Sequence, residues 1–124
     1  MPSGRSKLPL ALAIADAIRR VPRGHVSTYG AIAKAAGYPR NARAVARVLN
    51  TVPGLPWQRI LGSGGRISLP REAGLEQRFL LEAEGVRFRG RKVDLAEYEH
   101  RFERKALKSG ARTKAPKRVM RRKL

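Results

Sequence analysis

The sequence contains no cysteine. Disulfide bonds, thiolate nucleophiles and cysteine-ligated metals are therefore excluded. Its two histidines, His25 and His100, lie far apart and outside any metal-ligand spacing, so neither a metal nor another cofactor is predicted. Neither Ser27 nor Ser63 lies in a nucleophile-elbow motif. No residue pattern thus indicates a catalytic site, and binding is the function that remains.

Acidic residues and long apolar runs are also scarce. The chain of 124 residues carries 28 Lys and Arg against 9 Asp and Glu, for a net charge of +19, and its first 71 residues hold a single acid, Asp16. A positive charge of this size indicates a polyanionic partner. No apolar run approaches the roughly 18 residues of a membrane span. We therefore expect a cytoplasmic, nucleoid-associated monomer with no membrane partner.

Hydrophobic periodicity predicts a mostly helical domain at residues 1–107, followed by a disordered basic tail at 108–124. Helices are expected at 8–20, 29–36, 39–50, 71–84 and 95–107. The apolar stripe expected to be buried on the fourth helix contains Leu75, Phe79, Leu80 and Ala83. The glycine run at 62–65 is expected to form the turn of one short β-hairpin between 59–61 and 66–69.

Two neighbouring helices show the helix-turn-helix pattern, in which a few residues with a glycine join a short helix to a basic one. In the second helix, Arg40, Arg43 and Arg47 are predicted to share one face, opposite small apolar residues. No acid is interspersed among them for i,i+4 pairing. The residues expected to contact DNA are Ser27, Thr28, Tyr29, Arg40, Asn41, Ala42, Arg43 and Arg47.

Four stretches of sequence, in the same order, carry a resemblance to a known family. They are GHVSTYGAIA from Gly24, GYP from Gly37, ARAV from Ala42 and PWQRI from Pro56, and EAEGV from Glu82 is similar to the closing helix of the same domain. Over roughly residues 8–100 the chain resembles the DNA-binding domain of O6-alkylguanine-DNA alkyltransferases. Those enzymes have Pro-Cys-His-Arg-Val where this chain has Pro-Trp-Gln-Arg-Ile, and their cysteine accepts the alkyl group. Tryptophan at that position looks like the alkyltransferase-like branch, which binds alkylated guanine without repairing it.

The resemblance implies that the protein is not an enzyme. It implies binding to double-stranded DNA that contains O6-alkylguanine, rotation of the damaged base into a pocket, and a hand-off to nucleotide excision repair proteins. By the same resemblance, Tyr29 contacts the phosphate beside the lesion, and Arg43 fills the vacated position in the duplex from a helix in the minor groove.

The resemblance also implies which residues line the lesion pocket, namely Tyr29, Trp57, Gln58 and Arg71. A shift of one residue would put Pro70 in place of Arg71. Gln58 stands where the branch usually has histidine, and its side-chain hydrogen bond could hold the loop equally well. Arg59, by contrast, is expected to brace the fold by hydrogen bonding to neighbouring backbone.

Two other functions are compatible with the residues. A helix-turn-helix regulator or nucleoid-type protein would use the same basic helix without base flipping. Its affinity would depend on DNA sequence and would be the same for alkylated and normal guanine. An enzyme with a nucleophile other than cysteine would show a mass gain after incubation with alkylated DNA.

Overall fold

The computed structural model describes residues 9–102, and within that range the chain is mostly helical, as predicted. The helices are α1 (Leu10–Arg19), α2 (Tyr29–Ala35), α3 (Ala42–Thr51), α4 (Arg71–Ala83) and α5 (Leu95–Tyr98). The strands are β1 (Ser27–Thr28), β2 (Ile60–Leu61), β3 (Phe88–Arg89) and β4 (Lys92–Val93), with 3₁₀ turns at Trp57–Arg59 and Ser63–Gly65. The tail predicted at 108–124, and the ends of the domain predicted at 1–107, lie outside the described residues. None of the helices described here is long and apolar enough to span a bilayer.

The first three helices pack around one cluster of aliphatic side chains. α1 contributes Ile14 and Ile18, α2 contributes Ile32, and α3 contributes Val45, all fully buried. Burying a side chain of this kind contributes about 1.5–3 kcal/mol to folding. The small apolar face predicted for the arginine helix therefore does pack against other helices, and its arginine face is left outside.

A second cluster lies between the strands and α4. β1 and β2 pair in parallel, with Ser27 opposite Ile60 and Thr28 opposite Leu61. Leu61 is fully buried there and packs with Leu81 from α4. Because β1 runs directly into α2 and β2 directly follows the Trp57 turn, this pairing fixes the turn relative to the helix-turn-helix.

The hairpin expected around residues 62–65 forms at a different place in the chain. The two strands that pair in antiparallel fashion are β3 and β4, joined across Gly90. Ile60 and Leu61 use their backbone groups to pair with β1 instead. The run at 62–65 becomes a 3₁₀ turn, in which Gly65 N–H donates to the carbonyl of Gly62 at 3.0 Å. Gly62 N–H donates in turn to the carbonyl of Arg66 at 2.7 Å, which forms a single antiparallel bridge across the turn.

The buried face predicted for α4 is wrong. Leu75 and Phe79 are 68% and 70% exposed, and the buried residues of the helix are Gly74, Gln77 and Leu81. The reason is the close approach of the preceding loop, because a Cβ at position 74 would lie 2.5 Å from the carbonyl oxygen of Leu69. Only glycine fits there, so α4 turns its glycine and glutamine inward rather than its largest apolar side chains.

Two helix boundaries also differ from the sequence prediction. α3 begins at Ala42 rather than at residue 39, because Arg40 has a left-handed φ of 71° that no helix continues through. α5 ends at Tyr98, where Glu99 turns extended. The chain then pairs with Val26, whose N–H donates to the carbonyl of Tyr98 at 2.9 Å and whose carbonyl accepts from His100 N–H at 2.8 Å.

Candidate nucleic-acid interface

The exposed side of α3 carries two of the three predicted arginines. Arg43 and Arg47 are four residues apart on the helix and both exposed, so they share one face. Neither belongs to an ion pair among the described residues. The first turn of α3 contains no acid, and Asn41 makes no side-chain cap. This end of the helix therefore presents free guanidinium groups and backbone N–H groups, which suits an anion.

Arg40 lies just before α3 rather than on it, which corrects the prediction of three arginines on one helical face. It is exposed, and its φ of 71° is left-handed. Arg71, the first residue of α4, is also exposed and has a φ of 47°. These two are the non-glycine residues with positive φ in the described range. A left-handed conformation costs an ordinary residue about 1–2 kcal/mol, and such strain is typical of functional positions.

The start of α2 holds the three other predicted contacts. Thr28 caps the helix, since its Oγ1 accepts a hydrogen bond from Ala31 N–H at 3.2 Å. Tyr29 is half-buried against the helical cluster, which leaves part of its side chain accessible. Ser27 has no exposed surface, and its hydroxyl has no hydrogen-bond partner among residues 9–102. Ser27 thus lies in the interior, and its contact with DNA stays a prediction.

Trp57 lies in a tight turn between Pro56 and Ile60. Its backbone N–H donates to the carbonyl of Leu55 at 2.7 Å, and its own carbonyl accepts from Ile60 N–H. The side chain is half-buried and belongs to neither hydrophobic cluster. A core tryptophan would be packed into one of them, so Trp57 is not a core residue of either cluster, and its place in a lesion pocket stays a prediction.

The carboxylate of Glu84 joins three segments that are distant in sequence. It accepts from Gly24 N–H at 2.8 Å, from Gln58 Nε2 at 2.9 Å and from Arg59 Nη2 at 3.1 Å. Arg59 also donates to the carbonyl of Val21 at 3.0 Å, which confirms its predicted role in bracing the fold. We call Glu84, Gly24, Gln58 and Arg59 the Glu84 cluster. It fixes the Trp57 turn to the loop that leads into β1 and α2.

The electrostatics of Glu84 follow from this arrangement. Its side chain is 4% exposed, and such burial raises the pKa of a carboxyl group. The hydrogen bonds from Arg59, Gly24 and Gln58, together with the charge of Arg59, outweigh burial and hold the pKa of Glu84 below its ordinary value. The group is therefore ionised at neutral pH and acts as an acceptor for all its donors.

Gln77 of α4 supports the same turn from the other side. Its Nε2 donates to the carbonyl of Gln58 at 3.1 Å and to that of Ile60 at 2.9 Å, while the side chain is 1% exposed. No pattern in the sequence singles out Gln77 or Glu84 as a site residue. Glu84 lies in the EAEGV stretch, but nothing in the residue pattern distinguishes it from Glu82 two positions earlier.

Gln58 therefore holds the Trp57 turn in place, because its side-chain Nε2 donates to Glu84 and its backbone carbonyl accepts from Gln77. Of the four residues predicted for the lesion pocket, Tyr29, Trp57 and Gln58 are half-buried and Arg71 is exposed. Residues 9–102 contain no group of three His, Asp or Glu side chains that could hold a metal ion.

A short helix, a glycine turn and a basic helix, tied to an aromatic turn, define a DNA-binding domain of the helix-turn-helix class. The chain belongs to the family of the 6-O-methylguanine DNA methyltransferase DNA-binding domain, whose profile matches residues 9–86. A DNA base-flipping protein of Vibrio parahaemolyticus is 49% identical over 72 residues, which cover 56% of this chain and 72% of that protein. Alkyltransferase-like protein 1 of Schizosaccharomyces pombe is 42% identical over 76 residues, 57% of this chain and 70% of that protein.

The fold agrees with the same family. The crystal structure of S. pombe Atl1 in complex with damaged DNA containing O6-carboxymethylguanine has a TM-score of 0.66 and 32% identity, and the match covers 74% of this chain and 94% of that one. The predicted membership of the alkyltransferase family is thereby confirmed.

Proposed function

We propose that the protein binds double-stranded DNA containing O6-alkylguanine, rotates the damaged base into a site beside Trp57, and leaves the alkyl group in place. The observation that carries the proposal is the position of Trp57, half-buried in a braced turn where the methyltransferases carry their acceptor cysteine. Two relatives support it, one named as a base-flipping protein and the other crystallised on a damaged duplex.

Each predicted contact has a physical role in this proposal. Flipping a base costs a few kcal/mol, and stacking on an aromatic side chain returns about 1–3 kcal/mol per base. Trp57 and Tyr29 supply aromatic surface, and Arg43 supplies a long side chain to occupy the gap in the duplex. Arg71 and Arg40 are exposed, and their positive charges are available to contact the DNA backbone or the damaged base. Gln58 holds the turn through Glu84 rather than reading the base.

The chain has no cysteine to accept an alkyl group, so in this proposal another activity removes the lesion. A protein that only holds the flipped base marks the site, and excision of the damaged strand is the repair route that needs such a mark. We therefore propose nucleotide excision repair proteins as its partners, and a hand-off rather than direct reversal as the outcome.

A paired titration tests the proposal. Two duplexes identical except for one O6-methylguanine are titrated while the fluorescence of Trp57, the only tryptophan, is followed. We expect tighter binding and a larger fluorescence change with the methylated duplex. A 2-aminopurine beside the lesion should brighten as its neighbour unstacks. Equal affinity for both duplexes with a silent 2-aminopurine would favour a helix-turn-helix protein that does not flip bases.

Intact-mass spectrometry separates binding from transfer. After long incubation with excess methylated duplex, the protein should keep its mass and the DNA should keep its methyl group. A gain of one methyl group on the protein would show an enzyme with a nucleophile other than cysteine.

A further inference from the structure

The β3–β4 hairpin carries an unusual arrangement of positive charges. Arg89 and Lys92 are direct partners across the two strands. Lys92 is also bridged to Arg66, on its other side, in the segment that follows the Ser63–Gly65 turn. Residues directly opposite in antiparallel strands point to the same face, with Cβ atoms about 4.5–5.5 Å apart. Arg66, Lys92 and Arg89 thus form a line of three neighbouring cations, which we call the basic row.

Within residues 9–102, no side chain forms an ion pair with the basic row. All three side chains of the row are exposed. A recess of about 350 Å³ opens beside the row. The one carboxylate that lines it, Asp94, is used to cap α5 by accepting from Ala96 N–H at 3.0 Å.

The basic row opposes folding rather than supporting it, since like charges placed directly opposite each other in a sheet are destabilising. The opposite face of the same hairpin shows what stability would favour: Val93 is buried in the second cluster and Phe88 packs against it. Three adjacent unpaired cations therefore need a reason other than the fold. A polyanion that binds across them would supply the missing negative charge.

The hairpin is held firmly in position. Arg78 of α4 donates to the carbonyl of Gly90 at 2.9 Å and lies 4.9 Å from the ring centroid of Phe88. Ile67 N–H donates to the carbonyl of Arg91 at 3.0 Å. The 3₁₀ turn packs so closely on β4 that a Cβ on Gly65 would lie 2.6 Å from the carbonyl oxygen of Val93. The charges are thus presented on a fixed support.

The basic row is also close to the lesion site along the chain. Trp57 and Arg66 are nine residues apart, so even a fully extended segment would separate them by only about 30 Å. The path is shorter than that, because it contains two 3₁₀ turns. One helical turn of a duplex spans about 34–36 Å. Arg66 therefore lies within one helical turn of a duplex whose damaged base is at Trp57, a distance that permits a phosphate contact.

We propose that Arg66, Lys92 and Arg89 bind the sugar-phosphate backbone of the same duplex, as a second contact outside the helix-turn-helix. This inference rests on the proposed function for its ligand. It extends beyond the matched family domain, which ends at residue 86. Phosphate contacts position a protein on DNA but carry no information about the base. The row therefore adds affinity and orientation, and the choice between normal and alkylated guanine stays with the Trp57 site.

The test compares two variants of the full chain that lose the same charge. Arg89→Gln with Lys92→Gln removes two cations of the row, and Arg19→Gln with Arg101→Gln removes two exposed arginines elsewhere. Affinity is measured against salt for duplexes with and without O6-methylguanine. Each lost phosphate contact should flatten the slope of log affinity against log salt by about 0.9. The row variant should therefore lose about 1.8 from its slope, and the control variant much less.

Between 50 and 200 mM salt, a slope smaller by about 1.8 makes the affinity fall about twelvefold less than for the unchanged chain. The preference for alkylated over normal guanine should be the same in all three proteins. Thermal stability of the row variant should hold or rise, because a like-charge pair has been relieved. A single methylphosphonate substitution at one or two positions in the DNA should weaken binding of the unchanged protein. The same substitutions should not change the affinity of the row variant.

An unchanged slope in the row variant, or an equal shift in the control variant, would overturn the proposal, since only net charge would then matter. Loss of lesion preference in the row variant alone would also overturn it, because the row would then be part of the lesion site. If the unchanged protein shows no lesion preference at all, the proposed function fails. The comparison of slopes still decides whether the row contacts DNA.

Discussion

Glu84 and Glu82 provide a direct test of what burial does to an ion pair. Both lie at the end of α4, and each pairs with an arginine at 3.1 Å. The side chains of Glu84 and Arg59 are 4% and 17% exposed, whereas those of Glu82 and Arg78 are 48% and 39% exposed. The salt-bridge distance is the same, but the Glu84 pair is buried and its carboxylate also accepts from Gly24 N–H and Gln58 Nε2, whereas the Glu82 pair is open to solvent.

We expect Glu84→Ala to destabilise the fold by about 3–5 kcal/mol, the usual cost of leaving a buried partner charge uncompensated. Arg59, Gln58 and the N–H of Gly24 would all lose their acceptor. Glu82→Ala should cost less than about 1 kcal/mol, because solvent screens an exposed pair. The measurement is urea unfolding of the full chain. For a domain of this size, the Glu84 variant should melt more than about 10 °C lower.

The pH dependence of stability gives a second readout of the same group. The pKa of Glu84 is lower in the folded protein than its ordinary value of 4.5, so the unfolded chain binds the proton more tightly. The stability that Glu84 contributes is therefore complete above pH 4.5 and is lost as the pH falls below it. Glu84→Gln should flatten this acid-side loss, and Glu82→Gln should leave it nearly unchanged. Two outcomes would refute this role of the buried Glu84 carboxylate. One is an equal loss of unfolding free energy in the two alanine variants, and the other is an unchanged loss of stability at low pH in Glu84→Gln.

Three further predictions concern single positions. Phe79→Ala should lower the free energy of unfolding by less than about 0.5 kcal/mol, because the Phe79 side chain is 70% exposed. Leu81→Ala should lower it by about 2–5 kcal/mol, because Leu81 is fully buried. Chemical unfolding of both variants tests which face of α4 is buried. Arg43→Ala should weaken binding to the alkylated duplex far more than Arg40→Ala, since only Arg43 lies on α3; similar losses in a titration would mean that both act as plain charges. Trp57→Ala should leave the melting temperature nearly unchanged and cost about 1–3 kcal/mol of binding to the alkylated duplex alone; uniform loss of affinity with a large drop in melting temperature would place Trp57 in the core.

The first three helices could be predicted from sequence because apolar residues recur there at helical spacing and local signals mark the ends. Thr28 caps α2 as its residue type suggests, and Gly37 takes the left-handed conformation that ends the helix. The aromatic turn was found through its resemblance to a known motif. These features depend on residues close to one another in the chain.

α4 shows where pattern reading fails. Periodicity assigns the largest apolar side chains to the core, but the inward face of α4 is chosen by a backbone contact at Gly74 and by the two carbonyls that Gln77 satisfies. Neither the close approach nor the carbonyls can be inferred from the residues of α4 itself. The same limitation applies to the Glu84 cluster, whose other members lie 25, 26 and 60 positions from Glu84.

The net charge of a stretch of sequence also fails to predict where positive side chains gather on the β3–β4 hairpin. Residues 72–103 carry more acids than bases, so their net charge gives no reason to expect a contact with DNA there. In the fold the two signs separate. Glu72 and Glu76 lie exposed on α4, while Arg89 and Lys92 face each other on the hairpin beside Arg66, which comes from the basic half of the sequence.

Exposed basic side chains and a buried hydrogen-bonded turn suit the two tasks in the proposed function, which are to bind the DNA backbone and to recognise one damaged base. Exposed arginines on α3 and the basic row can exchange phosphate partners without altering the site, because each contact is weak and screened by salt. The Trp57 turn needs a fixed geometry, and it receives that from Glu84 and Gln77, whose buried bonds do not depend on the duplex. Loosening the Glu84 cluster should therefore reduce the preference for alkylated guanine, whereas neutralising the basic row should reduce affinity for both duplexes alike.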